Sequence, residues 1–107
     1  MISATESVEF HFYRSTPKGN GRYEMDAGSV RHEGSAMIIE IPYEGGMPYV
    51  VVGRRQDWGG YEGRHEGEPD DGEIVAKWNT VGDRWVGIWI EEGDFNVFTF
   101  KTESKGD

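Results

Sequence analysis

The stretch that decides the fold runs from Gly72 to Thr102, GEIVAKWNTVGDRWVGIWIEEGDFNVFTFKT. Two turns of one form, Thr80-Val81-Gly82-Asp83 and Glu91-Glu92-Gly93-Asp94, cut it into three strand-like runs. Gly beside Asp closes hairpins, and the β-branched and aromatic residues between the turns suit a pleated surface. The segment reads as a three-stranded antiparallel meander. It carries three of the four tryptophans, Trp78, Trp85 and Trp89, together with Phe95, Phe98 and Phe100.

Working outward, Ser7 to Arg14 alternates with period two: Val8, Phe10 and Phe12 point one way, Glu9, His11 and Tyr13 the other. That is the mark of a half-buried strand. Ser15 to Gly21 is a loop punctuated by Pro17, Gly19 and Asn20-Gly21. Arg22 to Ala27 reads as a weaker strand with Tyr23 and Met25 inward, broken by Gly28-Ser29. Val30 to Glu33 is a short strand or irregular. Ala36 to Tyr43 and Pro48 to Arg55 form a hairpin across Glu44-Gly45-Gly46. Both runs are continuously apolar, which places them centrally or covers both their faces. After a turn at Gln56 to Gly59, Tyr61 to Glu66 alternates again, with Tyr61, Gly63 and His65 inward. Gly67 to Gly72 is a polar loop.

No segment shows sustained helical periodicity. Seven or eight strands at roughly ten-residue spacing imply an all-β domain, an antiparallel up-and-down meander closing into a small barrel, with a β-sandwich as the alternative. At 107 residues the chain suits one domain, spanning 1–107 with flexible termini at about 1–6 and 103–107.

Composition narrows the function classes. The net charge of −9 disfavours nucleic acid and anionic membrane surfaces as partners. The absence of cysteine excludes disulfides, thiolate metal sites and cysteine nucleophiles. The N-terminus MISATESVEF lacks the pattern of a signal peptide, and no apolar run approaches the length of a membrane span, so a cytoplasmic location is expected.

Residues 60–100 carry Gly60-Tyr61-Glu62-Gly63, then Ala76-Lys77-Trp78, then Trp85-Val86-Gly87-Ile88-Trp89. This resembles the Gly/Trp-punctuated meander of calycin-type barrels, the avidins and lipocalins. The resemblance implies an eight-stranded up-and-down barrel with a small apolar ligand in its mouth. The strand that carries Gly-x-Trp in lipocalins carries Phe10, Phe12 and Tyr13 here.

Register decides what the tryptophans do, because a slip of one residue exchanges the faces of a strand. With two-residue loops, Trp78 opposes Trp85 and Gly87 opposes Phe98. Ile74, Ala76, Trp78, Trp85, Trp89, Phe98 and Phe100 then line an aromatic interior. With three-residue loops closed by Gly82 and Gly93, Val86, Ile88 and Ile90 enter the core. Trp85 and Trp89 then lie outside beside Val75, Lys77, Phe95 and Val97. Turn chemistry favours the three-residue form, since glycine stands third in each turn. In either case the large rings are first of all core fillers, each contributing roughly 1.5–3 kcal/mol when buried.

The candidate chemistry is sparse. His11, His32 and His65 have no close metal-ligand spacing, and no metal or cofactor is expected. His11 and His32 read as surface residues. His65 points inward with Tyr61, near Arg54 or Arg55. The acids Glu66, Glu68, Asp70, Asp71 and Glu73 read as a solvated turn. The leading expectation is a non-enzymatic barrel binding a small apolar or aromatic ligand through Tyr61, His65, Trp78, Trp85, Trp89 and Phe98, with Arg54 available for a ligand carboxylate. One alternative is a protein-interaction domain or homodimer using Trp85, Trp89, Phe95 and Val97. The other is a small barrel enzyme with His65 as base and Arg54 or Arg55 as anion holder.

Overall fold

Eight strands follow one another in the computed structural model, which describes residues 5–15, 21–42, 48–65, 74–91 and 94–102. They are β1 (Glu6–Ser15), β2 (Gly21–Glu33), β3 (Ala36–Ile41), β4 (Tyr49–Arg55), β5 (Tyr61–His65), β6 (Ile74–Val81), β7 (Arg84–Glu91) and β8 (Asp94–Phe100). Each pairs antiparallel with the next and β8 returns to β1, so the sheet closes as an up-and-down barrel. The closing seam is short, joining His11–Arg14 to Asn96–Thr99. Closure leaves no long apolar strand edge open to pair with another chain. The termini expected to be flexible, the acidic run at 66–73, most of the loop expected at 15–21, the turn expected at 44–46 and residues 92–93 lie outside the described residues.

The interior follows from alternation. Val8, Phe10 and Phe12 point in from β1, Met37, Ile39 and Ile41 from β3, Tyr61 from β5, and Ile74, Ala76 and Trp78 from β6. On the outer face of β3, Ile38 is also buried. Its cross-strand partners are Arg31 and Val52, so apolar and long-stemmed neighbours flank it, and both faces of this strand are covered as its continuous apolar run implied.

Two expectations are corrected. Gly28 does not end a strand: β2 runs unbroken through it to Glu33. This glycine makes room for a ring, since a Cβ there would lie 2.7 Å from Cε2 of Phe10. Val30 is buried and sets the phase of the whole strand. Glu24, Asp26 and His32 share its inward parity, while Tyr23 and Met25, expected inward, face solvent. His32, expected at the surface, is half-buried, with its ring 6.5 Å from that of Tyr61.

The second correction is the register of the tryptophans. The β6–β7 hairpin is closed by two residues, with Val81 opposite Arg84. Gly82 takes φ +65° at the first loop position, the positive φ that primed two-residue turns require there and that glycine adopts without strain. Trp85 and Trp89 therefore face inward; Trp89 is 2% exposed and Trp85 packs against the core. Burying two indoles outweighs a preference among turn types worth much less. Gly87 opposes Phe98, but Trp78 opposes Gly87 rather than Trp85.

The barrel is narrow where β4, β5 and β6 meet. Gly53 pairs with Gly63, and Gly63 with Ala76. The Trp78 ring lies over Gly53 so closely that a Cβ there would overlap it. Gly53→Ala is expected to destabilise the fold by about 1–3 kcal/mol, the usual cost of overpacking a tight core. Urea unfolding followed by tryptophan fluorescence measures this, and a variant as stable as the parent would show that the indole lies elsewhere.

Candidate functional site

β1, β3, β5 and β7 all run toward one end of the barrel, the mouth, where Arg14, Ile41, His65 and Glu91 lie. The opposite end is crossed by the turns Gly34-Ser35, Gln56–Gly60 and Gly82-Asp83. There Tyr61 stacks on Trp78 at 5.8 Å and touches Trp85 at 5.8 Å, and Trp85 stacks on Phe100 at 6.1 Å. The Arg55 guanidinium sits 5.9 Å from the Tyr61 ring centre, and the Trp85 indole N–H donates to Oγ1 of Thr102 at 3.3 Å. These groups fill that end. The middle layer is filled as well: Trp78, Phe10, Phe98 and Phe100 are fully buried, and the Trp78 N–H donates to the sulfur of Met37 at 3.1 Å.

Space opens at the mouth. A cavity of about 220 Å³ is bounded by Phe12, Ile41, Pro42, Tyr49 and Trp89 on its apolar side. Arg14, Glu24, Asp26, Glu91 and Asn96 form its polar side. Trp89 is held edge-on between Phe12 at 5.2 Å and Phe98 at 5.4 Å. Its N–H donates to Oε1 of Glu91 at 3.0 Å. Asn96 is buried and fully engaged: its amide donates to the Trp89 carbonyl at 3.2 Å, and its oxygen accepts from Nε of Arg14 at 3.1 Å. Arg14 also pairs with Asp94 at 3.4 Å, and Arg22 with Glu24 at 2.6 Å.

Among the described residues the mouth's cations, Arg14 and Arg22, are thus engaged, and two carboxylates, Asp26 and Glu91, have no cationic partner. Burial holds the Asp26 carboxyl above the ordinary carboxylate range, and the nearby charges of Glu24 and Glu91 push it further the same way. The folded protein therefore binds this proton more tightly than the unfolded chain does. Ionised Asp26 costs stability at neutral pH, and the cost disappears as the pH falls through its folded pKa.

The seven residues expected to form one site are spread along the barrel. Trp89 lines the mouth. His65 stands behind it, its ring edge-on to Tyr49 at 5.5 Å and its Nδ1 3.1 Å from both the backbone nitrogen and the carbonyl of Val50. Trp78 and Phe98 form the packed layer below, and Tyr61 and Trp85 belong to the far end. Arg54 is exposed, with Glu62 and Ala36 as cross-strand partners, and does not reach the interior. Val51 opposes His65, while Arg55 opposes Tyr61, so no histidine–arginine pair is assembled.

Asp26, Tyr49, Glu91 and Asn96 are not among the expected site residues, nor is Phe12, although alternation turns it inward. Asn96 shares its parity with Phe98 and Phe100, which are inward in either register, so alternation alone places it inside. Asp26 was hidden by the assumption that Gly28 breaks the strand. A larger hollow of about 880 Å³ is an open groove along the first half of β1, lined by Glu6, Glu9, His11, Arg84 and Lys101 among others. It lacks any aromatic wall beyond His11, and the mouth is the better-built candidate. Among the described residues no group of three or more His, Asp and Glu side chains is placed to hold a metal ion. No family model matches this chain, and no curated protein matches it.

Asp26→Asn is expected to raise the urea midpoint at pH 7, with the gain over the parent shrinking as the pH is lowered. A gain independent of pH would contradict the assignment of the shift to Asp26.

Proposed function

We propose that this protein is a non-enzymatic binding barrel whose ligand is a small aromatic or apolar molecule seated in the mouth. The observation that carries the reading is the aromatic-floored cavity at the open end, formed by Phe12, Tyr49 and Trp89 above a filled core. At about 220 Å³ the space lies below the roughly 300–1,000 Å³ of drug-sized sites. It suits one aromatic ring with short substituents. Apolar walls with a few convergent polar groups are the usual composition of such sites.

The polar side favours hydrogen-bond donors on the ligand. Asp26 and Glu91 offer carboxylate oxygens, and a ring bearing an amine satisfies them while its face meets Trp89. An aromatic carboxylate meets the same two acids and is disfavoured. The calycin resemblance of residues 60–100 belongs to this reading, because the site it implies is also a barrel mouth.

Titration with tryptamine, indole and indole-3-acetate, followed by amide and indole N–H chemical shifts, tests the proposal. Shifts are expected at Trp89 and Asn96, with tryptamine binding best and indole-3-acetate worst. Asp26→Asn combined with Glu91→Gln is expected to cut the preference for the amine by about tenfold, equivalent to about 1.4 kcal/mol. No binding by any of the three, or shifts confined to Tyr61 and Trp85, would refute it.

A further inference from the structure

The outer wall of the barrel is divided by charge. From β2 beyond Ser29 round to β5, its outward side chains include Arg31, Glu33, Glu40, Arg54, Glu62 and Arg64. From β6 through β7, β8 and β1 to the first part of β2 the composition changes. One row there runs Lys77–Ile88–Val97–Tyr13–Tyr23 across five strands. The next runs Asn79–Val86–Thr99–His11–Met25. Ile90 and Phe95 stand side by side on the mouthward side. In these positions Lys77 is the sole formal charge, on a chain of net charge −9. Phe95 is 54% exposed, Tyr23 53%, Met25 51%, Tyr13 48% and Val97 42%.

We propose that this wall is the contact face of a homodimer, packed against the same wall of a second copy. Twelve outward positions, with strands about 4.8 Å apart and rows about 7 Å apart, give a projected footprint of roughly 400 Å². Protruding side chains make the accessible area larger. Over two partners the face therefore falls below the roughly 1,200 Å² of stable interfaces, in the range of weak, transient contacts. Such an area suits a reversible dimer.

The charges select the occupant. Two copies each carrying −9 repel, and they can associate only through a surface that brings no carboxylates face to face. The rows named above meet that condition, with Glu9 of β1 beyond their far edge. Four ion pairs lie around its rim: Lys77 with Glu62 at 3.8 Å, Lys101 with Asp83 at 3.1 Å, Arg14 with Asp94 at 3.4 Å and Arg22 with Glu24 at 2.6 Å. Within these rows no carboxylate stands to steer a strongly basic partner, and a like copy needs no such steering. A self-facing contact must also be compatible with itself, and rings of Tyr13 and Tyr23 against Ile88 and Val97 satisfy that.

Sedimentation equilibrium of the full chain over roughly 1–500 µM, a range bracketing a modest interface, tests the proposal. The expected result is a reversible shift from 12.1 kDa toward twice that mass. Dimerisation is expected to strengthen as salt screens the mutual repulsion, the opposite of a salt-bridged contact. Val97→Lys is expected to abolish the dimer while near-ultraviolet dichroism stays unchanged, because the side chain points to solvent. Tyr13→Lys is a second variant at the same place, and Val52→Lys on the charged wall is expected to leave the dimer intact. A chain that stays at 12.1 kDa throughout overturns the proposal, as does a dimer that survives both lysines or one that weakens with salt. A monomer that instead binds neutral phosphatidylcholine vesicles also overturns it.

Discussion

The Trp78 indole packed against Gly53 of β4, beside its partner Gly63 of β5, is the contact on which the rest of this barrel depends. Gly53 faces Gly63 across one strand pair, and Ala76 continues the row. No side chain larger than a methyl group intrudes there, so the ring can lie flat against the wall. From that position it stacks on Tyr61, meets Phe98 edge-on and gives its N–H to Met37. One residue thereby joins β3, β4, β5, β6 and β8. An eight-stranded barrel has room for side chains but not for an unlimited number of rings, and the glycines set which rings fit.

Filling the interior in this way separates the two ends chemically. Below Trp78 the rings of Tyr61, Trp85 and Phe100 pack together. Above it the inward positions of β1, β2, β7 and β8 become Arg14, Glu24, Asp26, Glu91 and Asn96. Alternation continues past the end of the apolar core, and the polar residues it carries inward surround the opening. Burial, with the nearby charges of Glu24 and Glu91, holds the Asp26 carboxyl above the ordinary carboxylate range. The proposed binding site and a cost to stability at neutral pH thus have one origin, as is common where polar groups are concentrated for function.

Much of the architecture was legible from the residues. The strand pattern, the antiparallel order, the inward phase of Phe10 and Phe12 and the inward set Tyr61, Gly63 and His65 all follow from period two and from turn glycines. What misled was the treatment of glycine as punctuation. Gly28 stands mid-strand to clear Phe10, and Gly82 opens its turn instead of closing it. The first error turned Tyr23 and Met25 inward and concealed Asp26. The second placed Trp85 and Trp89 outside. The two errors share a cause: local turn chemistry was weighed without the packing of distant strands, which is the larger energy. The expected site residues were likewise chosen for their aromatic character, whereas the open space lies where that character gives out.

The most direct test of this account is the set of proton–proton nuclear Overhauser contacts made by the tryptophans. The account requires strong contacts from the Trp78 ring to the α-protons of Gly53 and from the Trp89 ring to Phe12 and Phe98. Contacts from Trp85 and Trp89 to Lys77, Phe95 and Val97 in their place would put these indoles on the outer wall and contradict both the register and the mouth built upon it.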